Sequence, residues 1–399
     1  MAGLLTAREL QLWSLAFLTI AVLLVATSFA SDDPDSALYA TLSARLADGP
    51  PARWIAPEWG GQWEMEGLFR EHPAGVFLLP TLLGAAGVPT VQAAYIVGIA
   101  AGLAALLLVA YLVSRLTSRE DGRLILVLLQ LMPMASIFRI RANHEYPMLV
   151  CLLVALIGID AARRSWRWWW VTPAALTAAL LVKGVFVAIP LIAVGLWMAI
   201  NPLRVGGPAR RGILTAALGL VALVATALVY DRAYVAVTGE PFWGLYWQRQ
   251  LSPLDVSNPM GGESTFAAHA WFYLVRMAWH PAPWSLALVV AAWQGREGLA
   301  HRWRSASEGS RRGLIFTLAF AGICVLLLSP ASRFAERYTF SANYAIAAAG
   351  AIVAARLWPS LPAAVARLDR AVPAFPAACW TALMLLRLVL GPHLPRVSS

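Results

Sequence analysis

Apolar runs recur from one end of this 399-residue chain to the other, and they constrain it more than any other feature. A bilayer core about 30 Å thick needs about 17–25 apolar residues for each crossing helix. Runs of that order fall at 11–30, 90–114, 123–140, 146–162, 184–200, 212–230, 271–293, 313–329, 338–355 and 371–389. A shorter run, 168–182, precedes Lys183 and can pair with 184–200 as a helical hairpin. The run 74–88 is short and interrupted by Pro80, so it should lie on the membrane or re-enter it. The expected fold is an all-α polytopic membrane protein of about eleven transmembrane helices, forming one domain over residues 1–399.

Composition agrees. The chain is 60% hydrophobic and 13% charged, against about 45–50% and about 25% in a soluble domain. Its 18 tryptophans and 10 tyrosines suit aromatic belts at the membrane surfaces. The three cysteines, Cys151, Cys324 and Cys379, sit in apolar runs with neither disulfide nor metal spacing. The first run ends Ser28-Phe29-Ala30, like a signal-peptidase site. Its lead is only weakly basic, with Arg8 beside Glu9, and it nearly suffices to span, so it reads as an uncleaved first helix.

The net charge of +10 has no soluble basic module to belong to, which argues against nucleic acid. It follows the positive-inside rule instead. With a cytoplasmic N-terminus, alternating spans put Arg115, Arg119, Arg123, Arg163, Arg164, Arg167, Arg204, Arg210, Arg211, Arg296, Arg302, Arg304, Arg311, Arg312, Arg356, Arg367 and Arg370 on the cytoplasmic side, and most acids on the other. The outer side then holds two long loops, 31–73 and 231–270. Both are rich in Trp, Tyr and acids, so both should be ordered, partly as short interfacial helices. The sequence ends soon after the last run, so no C-terminal soluble domain is expected.

Ionised groups gather at the outer ends of the spans. The first outer loop opens Ser31-Asp32-Asp33-Pro34-Asp35 and closes Glu71-His72-Pro73. Asp before a helical run is a common capping signal, so the acids at its start read either as a helix cap or as a site. The third outer turn holds Arg139, Arg141, Asn143, His144 and Glu145, and charges at membrane depth usually face a cavity and one another. Lys183 is the only lysine of the chain, in an apolar segment and followed by Gly184. In a chain that otherwise uses arginine, it marks a place for a compact ammonium. Trp243, Tyr246, Trp247, Arg249, His269, Trp271 and Tyr273 surround the second long loop, and a late turn carries Arg333, Glu336, Arg337 and Tyr338. Acids and cations on one face at the lipid boundary can bind a phosphate whose tail lies in lipid.

These motifs resemble the GT-C glycosyltransferase superfamily, in the branch of the aminoarabinose transferases and protein O-mannosyltransferases. The resemblance covers roughly residues 10–350. Asp35-Ser36-Ala37-Leu38-Tyr39-Ala40 is similar to the family's first-loop Asp-Glu-x-x-Tyr-Ala, with Ser36 for the glutamate. Trp54-Ile55-Ala56-Pro57 and Glu71-His72-Pro73 follow in order, with His72 where the family often has lysine. Then come Glu145-Tyr146-Pro147-Met148, Lys183-Gly184 and Arg337-Tyr338.

The resemblance implies a sugar donor on a polyprenyl phosphate, a lipid (lipid A-like), glycan or protein acceptor, and inverting transfer at the periplasmic face of a bacterial inner membrane. Asp35 is expected to act as general base, with Glu71 beside it. Lys183, Arg337, Arg333 and Tyr338 would bind the donor phosphate. Asp33, Tyr39, His72, Asn143, His144, Arg249 and His269 would orient substrate. Glu71, His144 and Glu145 could hold a divalent cation: Mg or Mn by the carboxylates, with Zn left possible by the two histidines His72 and His144. The sequence leaves that requirement open. A transporter or flippase for an anionic lipid is the competing reading, but such proteins often show paired repeats and midplane charges, and neither is evident.

Overall fold

The computed structural model describes residues 33–129, 132–139, 141–200, 208–250, 265–294, 308–331 and 335–358. The predicted first and last spans, 11–30 and 371–389, and Arg333 lie outside the described residues, as does the side chain of Arg249. Fourteen α-helices are described: α1 (Pro34–Asp48), α2 (Gly75–Ala85), α3 (Thr90–Leu116), α4 (Arg119–Leu128), α5 (Pro133–Arg139), α6 (Glu145–Arg164), α7 (Val171–Lys183), α8 (Ala188–Ile200), α9 (Ala209–Thr238), α10 (Trp243–Gln250), α11 (Phe266–Trp279), α12 (Trp284–Gln294), α13 (Glu308–Leu328) and α14 (Phe340–Leu357). Short 3-10 turns join several of them, and no β-strand is present among the described residues.

Among the described residues, six stretches are long and apolar enough to cross a membrane: Gln92–Leu116, Glu145–Arg164, Trp166–Ala193, Ala209–Thr238, Arg311–Leu328 and Glu336–Arg356. The α9 helix shows what their surroundings must be. Ile213, Leu220, Val221, Val224 and Leu228 all point outward. In water this would be a large exposed apolar patch, whereas lipid accepts it. At about 1.5 Å per residue, the 11 residues of α2 cannot cross.

Two of the expected spans are broken. The run 123–140 forms α4 and α5, with Pro133 opening the second helix. The run 271–293 forms α11 and α12, parted at His280-Pro281-Ala282-Pro283. Proline removes a backbone donor and clashes with the preceding turn, so apolar length alone overstates helix continuity here. The proposed hairpin across Lys183 also differs from expectation. The α7 helix packs along α6 and α9, and α8 packs along α13, so the two meet at their junction without lying on each other.

That junction has a local cause. Gly184 adopts φ 71°, a left-handed conformation that glycine takes without penalty. A Cβ there would also run into the Tyr246 side chain. The chain therefore turns at Lys183, and Tyr246 fills the corner. Its hydroxyl donates to the Lys183 carbonyl at 3.1 Å.

The first outer loop is ordered. In α1, Asp33 is the N-cap: its carboxylate accepts from the Ser36 backbone N–H at 3.0 Å, and Pro34 occupies the first turn. Leu38, Leu42, Phe77, Leu176 and Leu180 form one buried core that ties α1 and α2 to α7. A second core joins α3, α4, α5, α6, α12 and α14.

Polar pairs mark two opposite ends. Because α6 begins at Glu145 and ends at Arg164, its length of about 30 Å separates them. At its far end Asp160 pairs with Arg164 at 2.8 Å and Arg115 at 3.6 Å. Arg356 donates to both oxygens of buried Asp121 at 3.0 and 3.1 Å. Glu308 pairs with Arg312 at this same end, where Gly309 lies against Leu116, while the ion pairs around Glu145 stand at the other.

Candidate active site

Five separate segments meet at Glu145. They are the N-terminus of α1, the end of the first loop, the turn before α6, the α7–α8 junction and the 3-10 turn Glu336–Thr339. Glu145 is wholly buried. Its Oε1 lies 3.2 Å from Lys183 Nζ, 2.9 Å from His144 Nε2 and 3.8 Å from Arg337 Nε. Arg337 in turn contacts the Asp35 carboxylate. The result is an alternating row, Lys183–Glu145–Arg337–Asp35. Its inner pair is sealed from solvent, while Arg337 and Asp35 are 30% and 22% exposed. Burial is tolerable because each charge faces an opposite one. Lys183 also stands 5.5 Å from the centre of the Tyr338 ring.

The acids that open the first loop divide their roles. Asp33 caps α1 and accepts from Ser36 Oγ at 2.6 Å, with Arg141 3.6 Å away. Ser36 Oγ accepts from the Ala142 N–H at 3.0 Å. A hydroxyl thus stitches α1 to the turn carrying His144 and Glu145, at the position where the related motif has glutamate. With Asp33 engaged as the cap, Asp35 is the carboxylate turned toward Arg337.

Tyr39, His72 and His144 form the inner wall. His144 Nδ1 lies 3.0 Å from the Tyr39 hydroxyl, and the two histidine rings are 4.4 Å apart. Burial pushes the His144 pKa down, with Lys183 adding to the effect, and it outweighs the Glu145 carboxylate, which acts upward. Burial, then the charges of Glu145 and Glu71, push Tyr39 well up. A neutral His144 beside a carboxylate carries its proton on Nε2, so the Tyr39 phenol donates to Nδ1. A proton added at His144 is therefore resisted in the folded state. The ordinary His value of about 6.5 marks the top of the window. Below it, the unfolded chain binds more protons than the folded one, so stability falls with pH until the folded value is passed. Melting of the wild type in detergent should drop between pH 7.5 and 5.5, and His144→Gln should flatten that slope. An unchanged slope in the variant would rule out His144 as the cause.

Glu71 is held from another direction. It accepts from the Gln250 amide, while Gln250 Oε1 is 3.5 Å from the Tyr338 hydroxyl. Beside it, buried Arg70 pairs with Glu240 and donates to the Tyr234 hydroxyl at 3.3 Å. Asn143 is buried in the turn before α6. His269 has its Nδ1 3.2 Å from the Ser329 carbonyl, on the helix pair α11–α13. Glu336 lies 3.5 Å from both Arg276 and His280, which braces the turn bearing Arg337.

Sequence reasoning missed Gln250, Tyr246 and Arg141 in these roles. The four-residue spacing of Tyr246 and Gln250, which puts both on one helix face, was the available signal. The expected cation ligands do not converge. Among the described residues no three His, Cys, Asp or Glu side chains are grouped to hold a metal. Gln250 engages Glu71, and the Lys183 ammonium takes the place beside Glu145 where a cation would bind. The donor set does not fit the proposed ion.

Residues 71–230 match the family model described as dolichyl-phosphate-mannose-protein mannosyltransferase. That segment contains Glu71, His72, His144, Glu145 and Lys183, and excludes Asp35 and Arg337. Among curated proteins none matches the chain. The crystal structure of ArnT from Cupriavidus metallidurans in the apo state shares the fold with a TM-score of 0.61 and 16% identity, over 96% of this chain and 66% of that one. The same protein bound to undecaprenyl phosphate gives the same figures. The chain thus spans about two thirds of the length of the structures it matches. ArnT is an aminoarabinose transferase. The family match over residues 71–230 and the shared architecture together show a polytopic membrane chain with the fold of ArnT and a segment similar to the dolichyl-phosphate-mannose-protein mannosyltransferase family.

Proposed function

We propose that the protein is an inverting glycosyltransferase that moves a sugar from a polyprenyl-phosphate donor to an acceptor hydroxyl at the periplasmic face of a bacterial inner membrane. The observation that carries this reading is the half-exposed Asp35–Arg337 pair above the sealed Glu145–Lys183 pair. A relative of the same fold has been crystallised with undecaprenyl phosphate. The row stands at one end of the bundle, as transfer from a lipid-anchored donor needs, and not at midplane as a transport pathway would. The arginine-rich opposite end supports a cytoplasmic assignment there.

The chemistry follows from charge. Donor phosphate competes with Asp35 for Arg337, the outermost cation, while Lys183 adds positive potential from behind. Asp35, released from its partner, takes the proton of the acceptor hydroxyl. The acceptor oxygen forms its bond to the anomeric carbon as the bond from that carbon to the phosphate oxygen breaks. The electron pair leaves with the polyprenyl phosphate. That group needs no protonation near neutral pH, because its second pKa is about 6. Single displacement inverts the anomeric configuration. Arg333, Arg249 and His269 would extend the donor site, and Tyr39, His72 and Asn143 would shape the sugar pocket. The acceptor is a lipid, a glycan or a protein hydroxyl.

The test is transfer of labelled sugar from an undecaprenyl-phosphate donor by the purified protein in detergent, with the product's anomeric configuration read by NMR. No transfer to any envelope fraction, or a retained configuration, would overturn the reading. Because Lys183 occupies the cation position at Glu145, excess EDTA should leave the rate within about twofold. A loss above tenfold that Mg or Mn restores would show that the ammonium does not replace a metal.

A further inference from the structure

We propose that Gln250 is a positioning residue of the transfer site, locking the second outer loop onto Glu71 and Tyr338; its role in transfer rests on the function proposed above. The side chain is almost completely buried, yet it is polar and uncharged. An amide has both donor and acceptor ends, and both are used here. Its Nε2 donates to the Glu71 carboxylate, and its Oε1 accepts from the Tyr338 hydroxyl at 3.5 Å.

The helix that carries it is well anchored. Asp231 Oδ1 accepts from the backbone N–H groups of Phe242 at 2.8 Å and Trp243 at 3.4 Å. The indole of Trp243 donates to the Ala227 carbonyl at 2.8 Å. These bonds fix α10 to α9. Tyr246 and Gln250, four residues apart, then point the same way. One holds the Lys183 carbonyl at the Gly184 turn, and the other holds Glu71 and Tyr338. A single helix face therefore sets the backbone of Lys183, the phenol beside its ammonium and the carboxylate at the end of the first loop.

The charged and titratable groups around Gln250 are Glu71 from the first loop and Tyr338 from the late turn, with Lys183 and Glu145 beyond them. Replacing the amide by a carboxylate sets two acceptors against each other. Like charges raise the pKa of such a pair, and a protonated Glu at 250 can again donate to Glu71. A residue that merely filled space would not show this pH signature.

The experiment compares full-length wild type, Gln250→Leu, Gln250→Glu and the swap Glu71→Gln/Gln250→Glu in detergent at pH 8 and pH 5.5. Affinity for undecaprenyl phosphate is the first readout and thermal melting the second. Gln250→Leu should bind about tenfold more weakly at both pH values. Gln250→Glu should be as weak at pH 8 and come within about threefold of wild type at pH 5.5. The swap restores donor facing acceptor, so it should melt like wild type at both pH values. Binding by all variants that follows wild type at both pH values would overturn the role in the donor site. Should wild type itself not bind undecaprenyl phosphate, the donor reading fails, and melting still decides the coupling. Gln250→Glu must then lose stability relative to wild type at pH 8 and regain it at pH 5.5, and equal melting would end the proposal.

Discussion

Asp35→Asn should cost transfer about 10²–10⁴-fold, the usual contribution of a positioned general base, while the protein folds and still binds undecaprenyl phosphate. The reason is specific to the row of charges. Asp33 already caps α1 through the Ser36 N–H and hydroxyl, so the helix does not depend on Asp35. Arg337 loses a charged partner in the variant, so its guanidinium becomes more available to a phosphate. Affinity for undecaprenyl phosphate should therefore hold or rise as turnover collapses. This split separates a base from a structural acid, because a structural acid would take binding and melting down with activity. Turnover within about threefold of wild type would remove Asp35 from the chemistry. Loss of binding in parallel would point to a distorted site.

The second large effect concerns the sealed pair. Removing one partner of a buried ion pair typically costs about 3–5 kcal/mol, because the other charge is left without compensation. Lys183→Ala strands Glu145, whose Oε1 then keeps His144 and the more distant Arg337. Melting in detergent should fall sharply. The double variant Lys183→Met/Glu145→Gln removes both charges at similar volume and should recover most of that stability, since an apolar or neutral replacement of a whole pair is often tolerated. Transfer should not recover with it, because the ammonium that Lys183 would offer the donor phosphate is gone. A single variant that melts like wild type would mean the pair is not buried as described. A double variant that regains transfer would mean Lys183 serves the fold alone.

Much of this arrangement was legible in the sequence, for physical reasons that differ by residue. Spans announce themselves because lipid thickness sets a length. Charges at span ends announce themselves because they cannot sit in hydrocarbon without partners. That is how Asp35, Glu145, Lys183 and Arg337 could be assigned to one end before any contact was known. The breaks at Pro133 and at Pro281 and Pro283 were visible as residues, but counting apolar length passes over them. Which acid is cap and which is free is a matter of local geometry: Asp33 and Asp35 differ by two positions, and only the turn of α1 separates their tasks. The pairing of Asp35 with Arg337 joins the two ends of the sequence, where no local pattern reaches. Gln250 was the hardest to see, since a neutral amide in an aromatic helix carries no charge, and its four-residue spacing from Tyr246 is the one hint of a shared face.

For the proposed transfer, the alternation of Lys183, Glu145, Arg337 and Asp35 has an outcome for turnover. Two positive and two negative groups sum to nothing, so an arriving phosphate meets cations that are already half satisfied. Grip on the donor must then come partly from its tail and sugar. Once the sugar has gone, the spent carrier keeps its tail and gains negative charge next to two resident carboxylates, and it is let go readily. A transferase of the proposed kind, built this way, would avoid being clogged by its own by-product, and the emptied lipid could return to be loaded again.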